Sequence, residues 1–225
     1  MKYKVALFDM DGTLVDTEPI GARVMEKLLS DNQVVLRQDE REGFARAWRS
    51  GDSTRTEAWT GEMLERAGRK SEAQALLEKF YRGYLAEISI APALPGADAY
   101  LKNAAVKVPL GLVTASRKNQ VNAVLAFHNW SRLFKAVVTW EDYQQPKPNP
   151  APYIYAAKVL GVQPEDCVAF EDSTSGVAAA KAAGMYTVAI TIGSALGVDI
   201  TKADVIYSTF QDVPTKDLFD FEAEA

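Results

Sequence analysis

Between residues 17 and 91 the apolar positions fall at helical spacing, and on either side of that block they fall in short runs of the buried-strand type. The first run, Tyr3-Lys4-Val5-Ala6-Leu7, predicts a strand that stops at a turn marked by Gly12. Beyond Pro19 the pattern is helical and polar through Asp31, and further helices are expected over 38–49, 53–67 and 71–87. This block is rich in Arg and Glu, and nothing in it reads as a strand. At Ala91-Pro92-Ala93-Leu94-Pro95-Gly96 the composition changes and strands begin to alternate with helices. A helix over 97–106 precedes a strand over 108–114, after which Ser116 is expected to cap a helix over 117–127. A strand over 134–139 leads through a proline-rich turn at 145–152 to a helix ending near Gly161. A strand over 166–170, a helix over 175–183 closed by Gly184, a strand over 186–190 and a short edge strand over 204–207 complete the pattern. Repeated units of this kind predict a parallel sheet. The fold class is therefore α/β: one domain built from 1–16 and 92–225, interrupted by an all-helical insert of 17–91. There is no internal repeat, and the tail FDFEAEA is expected to be solvated.

In an open parallel sheet the chemistry lies at the carboxyl ends of the strands. Polar residues stand there in this chain: Asp9 after the first strand, Thr114 after Leu110-Gly111-Leu112-Val113, and Glu171-Asp172 after Val168-Ala169-Phe170. Lys147 lies in the turn that follows the strand at 134–139, and Pro146, Pro148, Pro150 and Pro152 stiffen that turn. Asp9 and Asp11 stand two positions apart at a tight turn, so their carboxylates can converge. Keeping both ionised is costly unless a cation shares the site, and a hard ion that seeks oxygen, such as Mg²⁺, would supply the charge.

The stretch Phe8-Asp9-Met10-Asp11-Gly12-Thr13-Leu14 directly after an apolar strand resembles the first motif of the haloacid dehalogenase-like phosphotransferases. Thr114, Lys147 before a proline, and the Glu171-Asp172 pair follow in that family's order, and the resemblance covers nearly the whole chain. It implies a Rossmann-like core with a small helical cap inserted between the first and second motifs, as in the β-phosphoglucomutase-like branch. It further implies that Asp9 is a carboxylate nucleophile forming an aspartyl-phosphate, and that Asp11 is the general acid and base. Thr114 would hold a phosphoryl oxygen, and Lys147 would offset charge. Asp9, Asp11 (through its backbone carbonyl), Glu171 and Asp172 would ligate Mg²⁺. Ser116, Arg117 and Asn119 are candidates for substrate contact or for starting a helix. In the cap, Trp48-Arg49-Ser50-Gly51-Asp52-Ser53-Thr54-Arg55 resembles a specificity loop, in which Arg49 or Arg55 could hold a distal anionic group. Trp48 and Trp59 are expected in the cap core. The family pattern carries an acidic residue where Ala151 stands in Lys147-Pro148-Asn149-Pro150-Ala151-Pro152-Tyr153, which puts a contact at a helix start in question.

The resemblance implies a phosphatase acting on a small phosphorylated metabolite, a sugar phosphate being one candidate. A β-phosphoglucomutase-type isomerase would use the same core, but where that branch carries a histidine after the first motif this chain has Gly21. A phosphonate hydrolase would need a cap lysine, and Lys27, Lys70 and Lys79 all lie away from Gly51 in sequence. A non-enzymatic aspartyl-phosphate switch also joins Asp, Thr and Lys, but Asp11 and the large insert speak against it.

Composition narrows the remaining classes. The formal net charge of −5 argues against broad binding of nucleic acid or anionic membranes. Cys167 is the single cysteine and lies in an apolar strand, so a packed thiol in a reducing cytoplasm is expected. His128 is the single histidine, which excludes sites built on several, and its aromatic neighbours Phe127 and Trp130 suit packing or capping. MKYKVALFDM is interrupted by Asp9 too soon for a signal peptide, and no apolar run is long enough to span a bilayer. A monomer is expected.

Overall fold

The structure is a computed structural model that describes residues 3–49, 53–192, 198–214 and 219. Strand β1 (Val5–Phe8) is followed by four helices, α1 (Glu18–Asp31), α2 (Gln38–Arg49), α3 (Ser53–Arg66) and α4 (Ala73–Ile88). Then come α5 (Ala97–Ala105), β2 (Leu110–Val113), α6 (Lys118–Phe127), β3 (Phe134–Val138), α7 (Ala151–Leu160), β4 (Cys167–Glu171), α8 (Thr174–Ala182), β5 (Tyr186–Ile190) and β6 (Val205–Tyr207). The chain divides into two compact units, one of Met1–Asp16 with Pro92–Ala225 and one of Thr17–Ala91.

In the first unit the six strands form one parallel sheet in the order β3-β2-β1-β4-β5-β6. β1, β2 and β4 are buried at every position, because helices cover both faces of the sheet. Alternate side chains serve the two faces. Leu7, Val113, Cys167 and Ala169 pack with Tyr153, Ala156 and Ala157 of α7 and Ala179 and Ala180 of α8. On the other face Phe8 stacks on Phe170 at 4.6 Å between ring centroids, with Tyr100 of α5 and Phe210 against them. Gly111 permits the close packing of the first face, since a Cβ there would lie 2.6 Å from Leu7 Cδ2. β1 lies between β2 and β4, so the chain reverses its winding beside β1, which is where such sheets bind ligands. The two connections to the helical block run side by side: Asp16 N donates to Pro92 O at 3.0 Å, and Val15 bridges Ala93.

The second unit is a set of four helices whose inner faces carry Met25, Leu29, Phe44, Leu64, Phe80 and Ile88. Trp48 packs among Phe44, Phe80 and Tyr84, and Trp59 on Phe44, so both indoles belong to this unit's aromatic cluster. Gly21 in α1 faces Trp48: a Cβ there would lie 2.4 Å from the indole nitrogen. Buried Glu40 accepts through Oε2 from Arg66 Nη2 of α3 at 3.1 Å and from the Arg37 backbone N–H at 2.8 Å, which ties the start of α2 to α3.

Several boundaries differ from the sequence-based expectation, each for a local reason. Helix α6 begins at Lys118 with Arg117 as its N-cap, and the Arg117 N–H donates to Gln120 Oε1 at 2.8 Å. Ser116 is therefore not the cap. Helix α8 begins one residue early because Ser173 caps it, accepting from Gly176 N at 3.0 Å. Residues 70–72 form a separate 3₁₀ turn before α4. His128 is the C-cap residue of α6 and stacks on Trp130 at 4.3 Å. Among the described residues no helix is long and apolar enough to cross a membrane.

Candidate active site

The carboxyl ends of β1, β2 and β4 bring Asp9, Thr114 and Glu171-Asp172 to one edge of the sheet, and the turn after β3 adds Lys147. Asp9 is held at the end of β1 by its backbone N–H, which donates to Phe170 O at 3.0 Å. Gly12 then turns the chain with φ of 81°, a conformation that side chains with a Cβ rarely adopt. A Cβ at Gly12 would also lie 2.3 Å from Asp172 Oδ2, so this glycine makes room for the carboxylate. Thr13, which was not singled out from the sequence, donates through Oγ1 to Asp172 Oδ1 at 2.9 Å.

Lys147 ties the site together. Its Nζ donates to Asp9 Oδ1 at 2.7 Å, to Glu171 Oε1 at 2.6 Å and to Val113 O at 3.0 Å. The Lys147 side chain is only 7% exposed, which takes it out of the class of solvated surface lysines. Burial opposes the ammonium, but Asp9 and Glu171 outweigh it and raise its pKa well above the usual lysine range. Burial also pushes the Asp9 carboxyl up to about 8, against the pull of Lys147 and with the push of Glu171 and Asp11.

Asp11 Oδ2 accepts two hydroxyls, Ser116 Oγ at 2.7 Å and Thr114 Oγ1 at 3.1 Å. The Ser116 N–H in turn donates to Thr114 Oγ1 at 3.0 Å. Ser116 thus bonds to the second aspartate of the first motif. Arg117 and Asn119 are exposed at the start of α6, where Asn119 Oδ1 accepts from Gln120 N at 2.9 Å. Arg55 is exposed on α3 in the helical unit. Arg49 ends α2, but its side chain, like residues 50–52, lies outside the described residues. The question raised by Ala151 has an answer in Asn149, whose Oδ1 accepts the Ala151 N–H at 2.9 Å at the start of α7.

Asp9, Glu171 and Asp172 each offer an oxygen, and these atoms lie within 4.8 Å of one another. All three residues are buried, and Lys147 is the cation bonded to two of them, so negative charge is in excess when all are ionised. Oxygen donors carrying surplus buried charge fit a hard divalent cation. Glu171 is already well supplied with donors: Oε1 accepts from Lys147 and from Tyr153 Oη at 2.7 Å, and Oε2 from Ser173 Oγ at 3.2 Å. Tyr143 adds a bond from its hydroxyl to Thr114 O at 3.1 Å. Tyr143, Tyr153 and Ser173 escaped the sequence reading because a tyrosine beside apolar residues reads as core and a serine before a helix reads as a cap.

Comparison with known proteins agrees with this arrangement. Residues 3–184 match the model of the haloacid dehalogenase-like hydrolases. A Bacillus subtilis protein, YhcW, whose name carries a provisional phosphatase assignment, is 32% identical over 83% of this chain and 83% of its own length. Validoxylamine A 7'-phosphate phosphatase of Streptomyces hygroscopicus is 27% identical over 94% of this chain and 96% of its own. The crystal structure of a predicted phosphoglycolate phosphatase from Haemophilus somnus superposes with a TM-score of 0.83 at 23% identity, over 94% of this chain and 96% of that one, a likeness of fold. With the first motif, the lysine and the acidic pair gathered at the sheet edge, the chain belongs to the haloacid dehalogenase-like hydrolase family.

Proposed function

We propose that this protein is a Mg²⁺-dependent phosphatase that hydrolyses a small phosphorylated metabolite through an aspartyl-phosphate on Asp9. The observation that carries the reading is the bond of Lys147 Nζ to Asp9 Oδ1, made inside a buried carboxylate cluster with Asp11 two residues away. An Asp9 oxygen attacks phosphorus and the ester P–O bond breaks, while Asp11 gives a proton to the departing alkoxide. Asp11 then takes a proton from water, whose oxygen attacks the same phosphorus, releasing inorganic phosphate and restoring Asp9. Lys147 offsets the charge of the nucleophile as it meets an anionic group. Thr114 and Ser116, bonded to Asp11 in the resting arrangement, supply hydroxyls for the phosphoryl oxygens once Asp11 turns to the ester. Asp9 and Asp172, with the Asp11 backbone carbonyl and the acidic neighbour Glu171, would hold Mg²⁺, which supplies charge neutralisation for the phosphoryl group when bound.

The helical unit 17–91 serves in this reading as a cap that excludes water from the reaction. Hydrolysis is favoured over isomerisation because α1 carries Gly21, with the Trp48 indole packed where a side chain would begin. Two relatives, from Streptomyces hygroscopicus and Escherichia coli, are named for different phosphate esters, validoxylamine A 7'-phosphate and phosphoglycolate, so the substrate class is a small phosphorylated metabolite, with sugar-like phosphates and phosphoglycolate as the first candidates. The reading places the enzyme in the cytoplasm as a monomer.

The test is a Mg²⁺-supplemented screen of phosphorylated metabolites, scored both for released phosphate and for isomerised ester. Phosphate release that stops in excess EDTA is expected. Isomerised glucose phosphate forming from β-glucose 1-phosphate faster than free phosphate, or full activity in EDTA, would overturn the reading.

A further inference from the structure

Tyr153 has no part in the steps just described, yet it is fully buried and its hydroxyl reaches the site. A phenylalanine would fill the same place in the core. A hydroxyl on that apolar face carries a desolvation cost unless it is used, and it is used on Glu171 Oε1 at 2.7 Å. A carboxylate oxygen can only accept, so at 2.7 Å the phenol is the donor.

The Glu171 oxygen that accepts from Tyr153 also accepts from Lys147 at 2.6 Å. Lys147 has three N–H donors, and they go to Asp9, Glu171 and Val113 O. Asp9 and Glu171 therefore compete for one ammonium. How it divides depends on the charge that each carboxylate presents. Glu171 cannot relieve the competition by turning toward α8, because a Cβ at Gly176 would already lie 2.0 Å from its carboxylate. The Tyr153 ring lies 5.1 Å from Lys147 Nζ, so one side chain touches both partners of the pair.

We propose that Tyr153 is a positioning residue for phosphoryl transfer: its hydroxyl draws charge from Glu171 Oε1 and so leaves Lys147 on the nucleophile Asp9. The proposal rests on the roles given above to Asp9 and Lys147. Without the hydroxyl, Glu171 presents its full charge to the ammonium and draws it away. Asp9 then meets the anionic phosphoryl group with less compensation, which slows the chemical step and leaves substrate binding unchanged.

The experiment is Tyr153→Phe, which keeps the ring and its packing. With p-nitrophenyl phosphate and Mg²⁺, kcat is expected to fall about tenfold while KM stays within about twofold. Trp130→Phe, which removes a buried donor to Asp98 outside the site, serves as the structural control and is expected to lower thermal stability with kcat unchanged. In a crystal structure of the Tyr153→Phe protein, the Lys147 Nζ to Asp9 Oδ1 separation is expected to exceed about 3.5 Å. Unchanged kcat in folded Tyr153→Phe, equal losses of kcat in both variants, or an unchanged Lys147–Asp9 separation would each overturn the proposal. Failure of the wild type to hydrolyse any phosphate ester would count against the phosphatase reading instead, and the crystallographic separation would still decide the role of Tyr153.

Discussion

Replacing Gly176 by alanine sets helix propensity against packing, and the structure predicts which wins. Gly176 lies in the first turn of α8, where alanine would ordinarily be gained at about 0.5–1 kcal/mol. The new Cβ would stand 2.0 Å from Glu171 Cδ and from both carboxylate oxygens. An ordinary contact needs roughly 3.5 Å, so about 1.5 Å has to be created. Glu171 has nowhere to go, being wholly buried and bonded to Lys147, Tyr153 and Ser173. Pushing α8 outward costs about 1–3 kcal/mol as overpacking. Turning Glu171 out breaks a hydrogen bond to a charged group, worth about 1.5–3 kcal/mol. Both adjustments together, set against the propensity gain, give a net loss of about 1.5–5.5 kcal/mol, or roughly 3–22 °C in Tm for a chain of this size. Gly61→Ala is the matched control, because it too is a helical glycine but nothing lies within 4 Å of its Cβ position. Its Tm is expected to rise by about 1–4 °C. Thermal melts of the two variants, with kcat on p-nitrophenyl phosphate, make the assay. A Gly176→Ala protein as stable and active as wild type would refute the wedge of Glu171 against α8.

Further outcomes follow from the buried charges. Asp9→Asn is expected to reduce turnover at least about a thousandfold while the metal-free protein melts no lower near pH 8, since the amide avoids a buried charge; near-normal phosphate release would remove Asp9 as nucleophile. The Asp9 pKa is raised from 3.8 to about 8, so its contribution to stability is fully present below the lower value and is lost as pH rises through the upper one. Mg²⁺ relieves that loss but must displace a proton at low pH, so its stabilising shift in Tm is expected to be larger near about pH 8 than near about pH 5.5, and equal shifts would refute this. Burial pushes the Cys167 thiol up to about 12, so a thiol reagent near about pH 8 should leave the native protein unlabelled and label one thiol per chain in denaturant; rapid native labelling would contradict its packing in β4.

Much of the site was legible along the chain because its parts sit at strand ends. An apolar run followed by Asp9, Asp11 and Gly12 is a local signal, as are Val113 before Thr114 and Phe170 before Glu171. Ser116 was misplaced for an equally local reason: a serine just before a helical run matches a cap, and only the approach of β1 shows its hydroxyl turned to Asp11 instead. The substrate contacts suggested for Arg49 and Arg55 rest on local pattern, because the spacing of an arginine along a helix does not specify the group it meets.

The sequence by itself determined the elements, their parallel arrangement and the residue types available for chemistry, because periodicity and turn residues act within a few positions. Tertiary structure decided which donors serve which acceptors. Lys147 and Asp9 are 138 positions apart, and Lys147 and Glu171 24 apart, so no local rule couples them. The strand order that inserts β1 between β2 and β4 brings them to one edge. The glycines at 12 and 176 read as a turn and a helix position in sequence. Only the folded chain shows that each is the space occupied by a carboxylate, because excluded volume is a property of packing between distant segments.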